Sequence, residues 1–156
     1  MENIDKKADF LKNEYTKILS RIPLDAGQIW GKMNVQQMIE HMSEYVRIAS
    51  GKMPMQTITP EDQVPSMQSF LATEKPFREN TPNSLMSETP MPVKHSDVNA
   101  AIKELQGEID HFFEVHMIDP NKSTPNPFFG TLNFDQQIQL LHKHALHHLR
   151  QFGVNP

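Results

Sequence analysis

Residues 133–153, Asn133-Phe134-Asp135-Gln136-Gln137-Ile138-Gln139-Leu140-Leu141-His142-Lys143-His144-Ala145-Leu146-His147-His148-Leu149-Arg150-Gln151-Phe152-Gly153, spell one helix with both ends marked. Asn133 is a residue type favoured just before a first turn, and Gln136 three positions on can answer it as a capping box. Gly153 is a natural stop. At 3.6 residues per turn, Phe134, Ile138, Leu141, Ala145 and Phe152 form one apolar stripe. His148 falls near the centre of that stripe and His144 at its edge, so both point inward. His142, Lys143 and Arg150 point elsewhere, and His147 lies on a flank.

A helix with one buried face needs partners, and the chain supplies three. Residues 5–20 carry Phe10, Leu11, Tyr15, Ile18 and Leu19 at amphipathic spacing, and Pro23 and Gly27 then mark a turn. A second helix opens at Asn34, with Gln37 again placed for a capping box, and stops at Ser50-Gly51. A third starts at Ser96 with the cleanest pattern: Val98, Ile102, Leu105, Ile109, Phe112 and His116, closed by Asp119-Pro120.

Between the second and third helices, residues 51–95 hold seven of the 12 prolines, which excludes one long helix there. Met67, Phe70, Leu71 and Phe77 interrupt the segment, so part of it is expected to pack down, with room for one short helix. Long connections of this kind serve either as binding loops or as plain surface crossings. Asn133 follows a loop containing Pro125, Pro127 and Gly130. The order predicts an all-α fold in one domain spanning residues 1–156, an up-down four-helix bundle with one long proline-rich connection.

Composition narrows the function. A formal net charge of −4 with no basic stripe argues against a nucleic-acid partner. Cysteine is absent, which removes disulfides, thiolate metal sites and a cysteine nucleophile. No apolar run reaches the ~18 residues of a membrane span, and the first residues lack a signal-peptide core, so a cytoplasmic location is expected.

Histidine carries the remaining signal. Four of the eight histidines fall within residues 142–148, and neutral imidazole is the commonest protein metal ligand. His144 and His148 are four apart, so their rings share a helix face with Cβ atoms ~5–6 Å apart. Such a pair can equally be two hydrogen-bonded core residues. A third inward ligand would complete a three-histidine site with an open position. His41 shares a stripe with Met38, Tyr45 and Ile48 and is the best candidate. His116, on an otherwise apolar stripe, reads as a packed core or helix-end residue, whereas His95 and His111 read as solvent-exposed or loop-borne.

Two segments carry a resemblance. Trp30-Gly31-Lys32-Met33-Asn34-Val35-Gln36-Gln37-Met38-Ile39-Glu40-His41-Met42 resembles the first signature of the DinB-like superfamily of four-helix metalloenzymes, a helix start followed by a histidine in its middle turns. The run His144-Ala145-Leu146-His147-His148-Leu149-Arg150-Gln151-Phe152 is similar to the second, a histidine, two residues, a histidine pair and a nearby glutamine. Residues 126–132 also look like a turn before the last helix in one branch of that superfamily. The likeness covers most of the chain and is weakest over residues 53–95. It departs in two places: Met33 stands where an aromatic often opens the first signature, and Asn126 where close relatives would carry histidine.

Carried over by position, the superfamily's metal triad falls on His41, His144 and His148, the three that the helical projections select. The resemblance implies a divalent ion, zinc or nickel foremost, and an enzyme acting on a small molecule. The expected chemistry is transfer to a low-molecular-weight thiol, or hydrolysis, with the metal activating thiol or water. Gln37 and Gln151 stand where they can orient ligand rings, and Tyr45 where it can donate into the pocket. Capping and structural roles fit these three as well. No general base is identified. The competing expectation is a non-catalytic bundle that binds metal or ligand, or that dimerises, with structural histidines.

Overall fold

Capping decides where the long helices begin. The computed structural model describes residues 1–79 and 91–156; the part of the insertion carrying Pro82 and Pro90 lies outside the described residues. Asn34 and Asn133 each accept a bond from the backbone N–H three residues on, while Gln37 and Gln136 reach back to the cap N–H. These reciprocal pairs open α3 (Val35–Ser50) and α6 (Phe134–Gln151). Gly51 follows α3 with φ 84°, the left-handed turn that glycine adopts without a Cβ penalty. Asp97, not Ser96, caps α5 (Val98–Ile118), accepting from the Ala100 N–H at 2.8 Å.

The stretch read as one helix over residues 5–20 is two, α1 (Ile4–Asn13) and α2 (Tyr15–Leu19), joined at Glu14, whose φ of −123° leaves the helical region. Leu11, Tyr15 and Leu19 are all buried. Steps of four in a straight helix drift around its axis, and the bend at Glu14 corrects that drift.

The chain is mostly helical. α3 packs mainly against α5, and α1 against α6, around a core that includes Met38, Met42, Leu105, Phe112, Ile138 and Leu149. Leu105, Met38 and Ile138 have no exposed surface. Within the insertion, a 3-10 turn (Glu61–Gln63) leads into α4 (Val64–Ala72), the one short helix the segment has room for. Leu71 of α4 enters a smaller core with Phe129, Leu132 and Leu140, flanked by Phe70 and Phe77.

The mostly helical structure is compatible with the all-α expectation and adds one short sheet. The loop before α6 is an antiparallel hairpin, β1 (Thr124–Asn126) and β2 (Gly130–Leu132). Pro125 is exposed mid-strand, tolerated because a two-stranded sheet consists of edges. Asn126 holds the turn: its Oδ1 accepts from the N–H groups of Phe128 (2.9 Å) and Phe129 (3.1 Å). A buried asparagine therefore does a specific job at the position where the resemblance predicted histidine. Residues 57–59 of the insertion bond to this turn through Asn126, Pro127 and Phe128 carbonyls, which fastens the insertion to the start of α6. No described helix is long and apolar enough to cross a membrane.

Candidate metal centre

His41 leaves the middle of α3, and His144 and His148 leave one face of α6 a turn apart. The three side chains converge. His41 Nε2 lies 3.1 Å from His144 Nε2, and His144 Nε2 lies 2.9 Å from His148 Nε2. One ligand nitrogen from each ring lies within 4.8 Å of the others, so the group can hold a metal ion. His148 is buried, and His41 and His144 are half-buried.

A chain of backbone and side-chain bonds orients the deepest ring. The Gln151 amide donates from Nε2 to the Trp30 carbonyl at 2.8 Å, which turns its Oε1 toward His148. His148 Nδ1–H donates to that oxygen at 2.9 Å, so its Nε2 keeps the lone pair and faces the other two rings. Glycine at position 31 leaves room for this arrangement. Its φ is +81°, and a Cβ there would lie 2.4 Å from Gln151 Nε2.

Burial sets the charge state. It pushes His41 down to about 4, with the His147 charge adding to the effect. Burial first, and the neighbouring imidazoles second, hold His144 and His148 well below the usual histidine range. All three are neutral at pH 7. Neutral rings cannot satisfy both short contacts, because His144 Nε2 is either one donor or one acceptor. With the His148 lone pair already committed to face it, at most one of the two N···N contacts is a hydrogen bond. A cation among the three nitrogens would use every lone pair, so the donor set fits a divalent ion, and imidazole suits zinc, copper, iron or nickel.

The walls are aromatic. Tyr45 packs with its ring centroid 4.8 Å from His41 and 4.7 Å from His144, and Phe77 of the insertion lies 6.4 Å from His144. Phe77 also lies 6.1 Å from His147, whose ring is tilted against Trp30 at 5.5 Å. The insertion thus reaches the rim of the histidine cluster. That placement depends on α4 and the hairpin, and no local signal in the sequence announces it.

The remaining candidates separate. Gln37 Oε1 is taken by the Asn34 N–H and its Nε2 by the Met91 carbonyl, so its amide serves the helix start and not a ligand ring. His116 is buried, bonded through Nδ1 to the Phe112 carbonyl and packed on Phe112 and Phe134. His95, expected to be exposed or loop-borne, is borne on the loop before α5, half-buried, and pairs with Glu104 of α5. His111 is half-buried within α5. Lys143, expected to point away from the core, is 6% exposed. Neither the protein-family models nor the curated proteins compared with this chain give a match.

Proposed function

We propose that this chain is a divalent-metal-dependent enzyme of the DinB-like kind, an up-down four-helix bundle whose metal is held by His41, His144 and His148. The convergence of three neutral imidazole nitrogens from two helices is the observation that carries the reading. Zinc or nickel suits such a donor set. A divalent ion so held keeps its full charge and lowers the pKa of bound water to about 7, or stabilises a thiolate.

The chain's own residues then have defined tasks. Gln151, locked by the Trp30 carbonyl, keeps His148 Nε2 aimed at the shared point. Tyr45 braces the rings of His41 and His144. Phe77 beside His144 and Trp30 beside His147 give this side of the cluster an aromatic lining. Among the described residues no carboxylate belongs to the three-histidine cluster. The proposed setting is cytoplasmic, the substrate is a small molecule with a low-molecular-weight thiol as co-substrate, and the chain pairs with a second copy.

Metal analysis of purified protein tests this first. Stoichiometric zinc or nickel in the wild type that disappears in His144→Ala supports the reading. A fully folded wild type that takes up no ion when zinc or nickel is supplied ends it. If metal binds but no thiol transfer or hydrolysis exceeds that of the free ion, the metal-binding, non-catalytic bundle is the correct description.

A further inference from the structure

A second cluster of chemistry lies on the other flank of α6. There, Lys7 of α1, Glu74 just after α4, and His142, Lys143 and Arg150 of α6 bound a cavity of about 80 Å³. That is several times the ~10–15 Å³ a single water needs. Its walls are fixed. Gln139, fully buried, donates to the carbonyls of Leu71 and Thr73 and to Glu74, while its Oε1 accepts from Lys7 at 2.7 Å.

The charges in this cavity do not balance. Lys7 is 8% exposed and Lys143 6%. Lys7 Nζ donates to Glu74 at 2.5 Å, which accounts for the one carboxylate present. Among the described residues Lys143 Nζ donates to the Phe70 carbonyl at 3.1 Å, with the Phe70 ring beneath it at 4.4 Å. Two of its three protons have no partner among those residues. Among the described residues no salt bridge reaches either Lys143 or Arg150. Glu74 also attracts Lys143, but it is already bonded to Lys7, so among the described lining residues three cations, Lys7, Lys143 and Arg150, face one carboxylate, and an anion would complete the balance.

We propose that this cavity is a binding site for a small phosphate-class oxyanion, with Lys143 and Arg150 supplying the charge. The planar fork of Arg150 and the point charge of Lys143 are the two cation types that recognise phosphate oxygens. Lys7 and His142 offer further N–H groups along the wall. The site takes inorganic phosphate or the phosphate end of a small molecule, and it stands independently of the metal reading.

Titration of the chelator-treated wild-type protein with inorganic phosphate, followed by calorimetry and thermal shift, is the test. Saturable binding, absent with chloride at equal ionic strength, is expected. Arg150→Gln and Lys143→Met should each weaken it by about tenfold or more while cooperative unfolding persists. His144→Ala should leave it unchanged, which separates this site from the metal centre. Phenyl phosphate binding as well as phosphate marks the anionic end of a larger ligand; phosphate alone marks a free-ion site. The proposal is overturned if no saturable binding occurs, if Arg150→Gln binds like wild type, or if binding follows His144.

Discussion

Replacing Gln151 by leucine removes one side chain and breaks two bonds that bear on the metal centre. The first is the acceptor for His148 Nδ1–H at 2.9 Å; the second is the donor to the Trp30 carbonyl at 2.8 Å. His148 is 5% exposed, so solvent cannot readily replace its partner, whereas Trp30 is half-buried. A stranded buried group costs about 1–3 kcal/mol, so the metal-free protein should lose roughly that much stability through His148. Freed from its acceptor, His148 can place its hydrogen on Nε2, the atom the metal needs. Loss of such an outer partner weakens metal affinity about 10–100-fold, equivalent to about 1.4–2.7 kcal/mol. Gln151→Glu keeps an acceptor for His148 and should recover part of that affinity. Gly31→Ala should mimic the loss without replacing Gln151, because its Cβ would collide with Gln151 Nε2 and displace the amide. Zinc competition against a chromophoric chelator, paired with urea unfolding of the metal-free protein, reads both quantities. A Gln151→Leu protein that unfolds cooperatively and binds zinc within about twofold of wild type would refute the orienting role.

Other consequences follow from burial. His41 is held at about 4 and His144 and His148 well below the usual histidine range, whereas unfolded histidine titrates near 6.5, so the unfolded chain binds more protons below that value. Metal-free stability should therefore be complete above pH 6.5 and fall toward pH 4, by up to ~1.4 kcal/mol per pH unit for each histidine; urea midpoints that stay flat from pH 7 to 4.5 contradict this. Tyr15 is 1% exposed and its hydroxyl has no hydrogen-bond partner among the described residues, so Tyr15→Phe should leave stability unchanged or raise it by about 1 kcal/mol, as measured by thermal unfolding. Truncation after Leu141 removes two ligands together with the core residues Ala145, Leu149 and Phe152, and should abolish both metal uptake and the cooperative transition. A truncated chain with wild-type zinc affinity would show that the cluster is not the site.

Much of this architecture could be read along the chain because the relevant forces are local. Asparagine caps answered by glutamine three residues on, glycine stops and 3.6-residue stripes act within a turn or two, and they located α3, α5 and α6 to within a few residues. The same periodicity said which histidines face inward, because a ring's direction is set by its own helix. What lay beyond it were features that depend on partners far away in sequence. The hairpin at residues 124–132 was missed because two prolines in so short a stretch look like a loop, and the groups that hold it, the buried Asn126 turn, residues 57–59, Gln68 and the Thr124 hydroxyl on the Ala49 carbonyl, come together only in the folded chain. Gln37 and Gln151 look alike as candidates near ligands, yet one amide is consumed at a helix start and the other is seized by the Trp30 carbonyl 121 positions away. Lys143, read as pointing away from the buried stripe, is covered where the insertion folds over it. Direction is a property of the helix, whereas distance between rings and the burial of a charge are properties of the packing, and only the assembled core brings three imidazoles to one point.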